Sequence, residues 1–244
     1  MFHNKLYTIC NDWSDGMNAV YRNEDKYNMP LQKMWLLEQR IRRILRPDSH
    51  GNGSYYIQSI YFDDIGNECY RNAVDGNPNR LKYRIRMYDH STDVIKLEVK
   101  KKHYSQSTKL ASTISNEEMN CLLRGRTIDD SGSLDDPRTL FNLAISRSGL
   151  RPVITIGYTR NAYTHPDGDV RVTFDRNIGF NRHVGMSDSQ YMELIRPSDV
   201  MEVKYTGLIS RSILSVLENN YMEKSAYSKY ALCMEQREVN WKCQ

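Results

Sequence analysis

In several short stretches of this chain, lysine and arginine recur at every second position. Successive side chains of a β-strand point to opposite faces. In Lys82-Tyr83-Arg84-Ile85-Arg86-Met87, one face therefore carries Lys82, Arg84 and Arg86, and the other Tyr83, Ile85 and Met87. Between Ile95 and Lys102 the charged face holds Lys96, Glu98, Lys100 and Lys102. Arg171 and Asp175 share a face further on, as do Glu202 and Lys204, and near the start Arg22, Glu24 and Lys26. Arginine grips phosphate oxygens in bidentate fashion, and lysine acts on them as a compact point charge. Isolated carboxylates among such cations suit a hard metal, Mg²⁺ or Mn²⁺, that shares its coordination with phosphate oxygens. A chain of phosphates carrying a divalent metal accounts for both signs of charge.

Such faces need strands to present them. One charged face alone reads as the solvated side of a half-buried sheet. Five that are mainly cationic would repel one another on a flat sheet. The alternative is an α+β fold built on a closed eight-stranded antiparallel barrel. Its apolar faces point outward under helices, and its charged faces line a tunnel. The alternation predicts strands over Ala19–Asn28, Ser54–Phe62, Arg80–Tyr88, Asp93–Lys102, Ser107–Ile114, Val153–Tyr163, Asp169–Asp175 and Val200–Tyr205. Helices are predicted over Pro30–Leu45, Ser115–Leu123, Pro137–Ser148 and Ser210–Met222. The first opens on a proline and has apolar residues at helical spacing. The second opens on a capping-box pattern, Ser115 followed by Glu118. Asn177–Asn181 and the segment to Arg196 fit neither period. Asp129–Pro137 reads as an exposed acidic loop.

The composition excludes several classes. With 244 residues, 39% hydrophobic and 26% charged, the chain is globular rather than disordered. No apolar run approaches the roughly 20 residues of a membrane helix. Met1–Asn11 lacks the pattern of a secretory signal. Five scattered cysteines without metal-ligand spacing read as reduced thiols and a cytoplasmic setting. The net charge of +4 is modest, so any basic site arises from clustering. Asp63 and Asp64 read as caps, Asp175 as the partner of an arginine, and His103 as a rim residue; Lys101 and Arg176 should face outward. The aromatics fall opposite the lysines and arginines, which argues against a nucleic-acid partner.

Arg22–Tyr27, Ser59-Ile60-Tyr61-Phe62-Asp63-Asp64, Arg80–Tyr88 and Leu97-Glu98-Val99-Lys100 together resemble the polyphosphate polymerase domain of the vacuolar transporter chaperone (VTC) complex, within the triphosphate tunnel metalloenzyme (CYTH-like) superfamily. The likeness continues through Pro152–Tyr163, Val170–Asp175, Met201–Lys204 and Tyr227-Ser228-Lys229-Tyr230. Arg22 stands where many of the superfamily carry a glutamate, which favours the polymerase branch. Ala226 stands where the fungal enzymes have a lysine.

The resemblance implies transfer of the ATP γ-phosphoryl group to a growing polyphosphate, with Mn²⁺ or Mg²⁺. Lys26, Arg84, Arg86, Lys100, Arg160, Arg171 and Lys229 would stabilise the reacting phosphates. Lys82, Lys109, Tyr158, Lys204, Ser228 and Arg22 would contact substrate. Glu202 would be the main metal ligand, with Glu24 and Glu98 holding or orienting the metal. The partners are then ATP, triphosphate and inorganic polyphosphate, and a membrane partner is compatible. An inorganic triphosphatase or nucleotide phosphohydrolase, and a non-catalytic polyphosphate-binding module, are the alternatives on the same fold. The expected organisation is a lead segment over 1–18, one tunnel domain over 19–235, and a tail over 236–244.

Overall fold

The computed structural model describes residues 23–104, 106–166, 170–181, 184, 192–194, 199–218, 223–225 and 228–242. Arg22, Ala226 and Tyr227 lie outside the described residues. Eight long strands form one antiparallel sheet: β1 (Asn23–Asn28), β3 (Ser54–Asp63), β4 (Asn79–Tyr88), β5 (Ser91–His103), β6 (Gln106–Ile114), β7 (Arg151–Thr164), β8 (Val170–Asn181) and β10 (Val200–Tyr205). They are the eight that alternation predicts. Their spatial order is β1-β10-β8-β7-β3-β4-β5-β6. Short strands β2 (Arg46–Pro47), β9 (Met192–Glu193) and β11 (Glu223–Lys224) pair with β7, β8 and β1.

The expected closed barrel is not formed. The sheet curls into a half-barrel, and among the described residues no backbone ladder joins β1 to β6. The free edge of β1 is taken at Tyr27 and Asn28 by β11. Side chains bridge from β1 instead: Ser107 Oγ on the edge strand β6 lies 3.5 Å from Glu24, and Lys100 Nζ on the neighbouring β5 lies 2.5 Å from it.

The convex face is apolar and covered by helices, as the charge alternation requires. Helices α3 (Asn116–Leu123) and α4 (Pro137–Ser148) cover Ile60, Phe62, Ile85, Leu97 and Val99 with Met119, Leu122, Leu140 and Phe141. Helices α1 (Leu31–Ile41) and α5 (Arg211–Glu218) cover Val172, Phe174, Met201 and Val203. Helix α1 starts after Pro30 and ends at Ile41, short of the predicted Leu45. Its buried stripe includes Glu38, whose carboxylate accepts bonds from Tyr163, Asn161 and the outward-facing Arg176 at 2.6–2.7 Å. The predicted capping box of α3 is present in both directions. Ser115→Ala is expected to destabilise the chain by about 1 kcal/mol, read from the midpoint of denaturant unfolding.

Two helices escape the sequence reading. Helix α2 (Glu68–Val74) is capped by Asp64, which accepts from Glu68 N at 2.9 Å. Helix α6 (Lys229–Lys242) enters the concave side of the sheet and continues across the expected start of the tail at 236. There Tyr230, Cys233 and Met234 pack on Ile57, Tyr61, Ile154, Ile156, Ile178 and Phe180. The last two face inward because Asn177, at φ 54°, adds a residue to β8 where the β7–β8 register shifts. A bulge of this kind switches the side-chain parity beyond it. The concave face is thus divided: one part is apolar and filled by α6, the other is charged. No helix among the described residues is long and apolar enough to cross a membrane.

Candidate active site

The charged part of the concavity is assembled by strand register. Lys26 lies opposite Glu202, and Glu24 opposite Lys204. Lys204 in turn faces Arg171. Arg84 faces Glu98, and Lys82 faces Lys100, which faces Lys109. Arg160 faces Asp175 across β7 and β8. Helix α6 adds Ser228 and Lys229 from its first turn: Ser228 Oγ accepts Ala231 N at 3.2 Å as an N-cap and also accepts Lys82 Nζ at 2.8 Å. Every site residue singled out from the sequence therefore lies on this lining, Arg22 aside.

Each lining carboxylate is held by cations. Glu98, 1% exposed, accepts Arg84 Nε at 2.6 Å and Lys109 Nζ at 2.8 Å, with Arg86 at 3.8 Å. Asp175, fully buried, takes both arms of Arg160 at 2.6 and 2.8 Å and Lys229 at 2.6 Å. Burial opposes its charge, but Arg160 and Lys229 hold its pKa down at about 2. Burial likewise opposes the charge of Glu98, and Arg84, Arg86 and Lys109 hold its pKa well below the carboxylate range.

Glu24 and Glu202 form a different arrangement. They are close enough to repel one another, and Lys26 spans them at 3.0 and 3.6 Å. Lys204 is 3.2 Å and Arg160 3.8 Å from Glu202. Burial and mutual repulsion push the Glu24 pKa up, but Lys26 and Lys204 win and keep it below the ordinary value. Among the described residues no cluster of three or more His, Cys, Asp or Glu side chains has a metal-binding arrangement. The close Glu24–Glu202 pair suits a hard cation that draws its remaining ligands from phosphate and water. Glu98 stands apart from that pair, its oxygens taken by Arg84 and Lys109, while those of Glu24 are held by Lys26 and Lys100.

Cations exceed acids in this lining, and they weaken one another. Burial first, then Lys26, Lys100, Arg80 and Arg84, push the Lys82 pKa well below its usual value. Burial, with Lys26 and Lys204, brings Lys100 down to about 8. A bound polyanion would reverse this and favour the protonated ammonium. Tripolyphosphate affinity is thus expected to fall as pH rises through and above about 8, where Lys100 loses its proton in the free protein. Binding near pH 9 is expected to take up protons. Calorimetry in two buffers of different ionisation enthalpy reads both, and a flat affinity from pH 7 to about 9.5 would place Lys100 outside the binding site.

The sequence reading placed the aromatics opposite the cations. That holds for Tyr83, but Tyr55, Tyr61 and Tyr158 share the charged face. Their hydroxyls accept from Arg171 at 3.0 Å, Arg84 at 3.2 Å and Arg86 at 3.4 Å. Tyr158 lies 4.9 Å below Lys229, ring centre to ammonium. Arg160 and Arg86 hold the Tyr158 pKa below its usual value against its burial. Arg171 is further anchored by Asp48, a contact across 123 residues that no local pattern signals.

The register thus builds a cation-lined antiparallel half-barrel around a carboxylate pair. The chain belongs to the VTC domain family, which matches residues 21–237. No curated protein matches it. Among solved structures, a candidate adenylate cyclase from Vibrio parahaemolyticus aligns at 9% identity over 88% of this chain and 98% of its own, with a TM-score of 0.51. That likeness concerns the fold alone. The PH1819 protein from Pyrococcus horikoshii aligns at 15% identity over 89% of this chain and 100% of its own, TM-score 0.49. HpAC1 from Hippeastrum, a candidate adenylyl cyclase with a dominant triphosphatase activity, aligns at 13% over 89% and 96%, TM-score 0.48.

Proposed function

We propose that this chain is a metal-dependent polyphosphate polymerase that transfers the ATP γ-phosphoryl group to the end of a polyphosphate chain. The observation that carries this reading is the excess of mutually repelling, largely buried cations around the Glu24–Glu202 pair. A chain of phosphates relieves their repulsion, and family membership agrees with such a ligand.

The terminal phosphate oxygen of the acceptor attacks the γ-phosphorus, the bond to the β–γ bridging oxygen breaks, and ADP leaves. Phosphoryl transfer asks the protein mainly for positioning and charge stabilisation. Arg84, Arg86, Arg160, Lys26, Lys100 and Lys229 neutralise the oxygens, and Lys82, Lys109, Lys204, Arg171, Tyr158 and Ser228 align the chain. A divalent metal held by Glu202 and Glu24 would neutralise charge between neighbouring phosphates. Glu98 serves in this scheme as the buried anchor of Arg84 and Lys109.

Transfer to phosphate fits the site better than transfer to water. Water needs a general base, and Glu24, Glu98, Asp175 and Glu202 are all engaged by cations. An attacking phosphate is already ionised. Purified protein incubated with ATP and Mn²⁺, with and without a short polyphosphate primer, is expected to yield long polymer on a gel with ADP released in step. Free phosphate without polymer would establish a triphosphatase instead. Neither product, with tripolyphosphate still bound tightly, would establish a binding module.

A further inference from the structure

Asp63 closes β3 at the junction of three segments and is fully buried. Its Oδ1 accepts from Asp64 N and Cys69 N, and its Oδ2 from Tyr70 N, all at 2.9 Å. The fourth donor is the hydroxyl of Tyr230, from α6. The Tyr230 ring stacks on Tyr61 at 5.0 Å and 13°, and meets Tyr70 edge-on at 6.5 Å. Tyr61 in turn accepts from Arg84. Burial first, and then Asp63, push the Tyr230 phenol far above its usual pKa, so it remains the donor.

Tyr230 directly follows Lys229 and Ser228. Consecutive residues of a helix are separated by about 1.5 Å along its axis, so whatever fixes Tyr230 fixes the two before it. Lys229 reaches Asp175 and the Tyr158 ring, and Ser228 reaches Lys82. Further along α6, Cys233 and Met234 make apolar, non-directional contacts with the sheet, and Arg237 Nη1 donates to Val153 O at 2.8 Å about two turns beyond Lys229 and Ser228. The hydroxyl–carboxylate bond is directional and buried, which lets it set register and angle.

We propose that Asp63 and Tyr230 are positioning residues: their buried hydrogen bond sets how α6 enters the half-barrel and so aligns Lys229 and Ser228 with the phosphate chain. This rests on the reading of the charged lining as a phosphate site. Neither residue touches that lining through its own polar atoms.

The test is a double-mutant cycle read by calorimetric binding of inorganic tripolyphosphate, with melting temperature recorded beside it. Tyr230→Phe keeps the ring stack and removes only the hydroxyl; Asp63→Asn is the second variant. Either is expected to weaken tripolyphosphate about tenfold in the wild-type background, the scale of one lost charge-assisted contact. In a Ser228→Ala, Lys229→Ala background the same changes are expected to weaken it less than about twofold, because nothing remains to be positioned. An equal loss in both backgrounds would mean a general structural effect and overturn the proposal, as would no loss in wild type. A wild-type chain that fails to bind tripolyphosphate would remove the phosphate reading itself, and this inference with it.

Discussion

Glu98→Gln is expected to destabilise the unliganded chain by about 3–5 kcal/mol, while tightening its hold on tripolyphosphate about tenfold. The two effects have one cause. Glu98 is the counter-charge that lets Arg84 and Arg86 sit buried in the sheet, with Lys109 beside them. Removing one partner of a buried ion pair leaves the other uncompensated, at a cost of about 3–5 kcal/mol. In a domain of this size the melting temperature should drop by roughly 10 °C. The same cations, released from Glu98, are then free to meet phosphate, and a negative charge that repels the ligand at short range is gone. Saturating tripolyphosphate is therefore expected to raise the melting temperature of the variant more than that of wild type. Loss of metal-dependent turnover, with metal-free binding unchanged, would instead assign Glu98 to the metal.

This opposition of stability and binding explains why the strands were legible. Alternating cations on five strands are costly in any arrangement except one that supplies carboxylates and a polyanion, so the pattern identified the charged residues of β1, β4, β5, β8 and β10 in advance, while Lys109, Tyr158, Arg160, Ser228 and Lys229 came only from the family resemblance. Closure was not legible. The alternation says which face curls inward, but a ladder between β1 and β6 depends on shear and on competitors for the edge, and β11 is such a competitor. The end of β8 was not legible either, because Asn177 inserts a residue and breaks the period that strand recognition relies on. Helix α6 was missed because its inward residues, Tyr230, Cys233 and Met234, are few and lie among Glu235, Gln236 and Arg237. Tyr55 and Tyr61 were missed in turn, and Tyr158 entered through the family resemblance alone. An aromatic residue counts as apolar in a periodicity argument, yet Tyr55, Tyr61 and Tyr158 each use a hydroxyl to hold an arginine of the site.

Glu202→Gln is expected to act on turnover more than on stability. Glu202 shares its surroundings with Glu24, and the cations around it also serve other partners: Lys26 reaches Glu24, and Arg160 reaches Asp175. The stability cost should accordingly be the smaller of the two. The cost to turnover should be large. A divalent metal held there would supply several kcal/mol of charge stabilisation in the transition state, and each 1.4 kcal/mol is tenfold in rate. Weakened metal occupancy should thus lower polymer formation on the order of 10²-fold or more, partly recovered at high Mn²⁺. Metal-free binding of tripolyphosphate should hold within a few-fold, since every cation of the lining remains. Direct titration of Mn²⁺, followed by its paramagnetic signal with tripolyphosphate present, separates the metal from the chemistry and should show weakened binding in Glu202→Gln alone. Equal turnover and equal Mn²⁺ affinity in wild type and variant would exclude Glu202 as the ligand, and Glu24, the other half of the carboxylate pair, would then be the residue to replace.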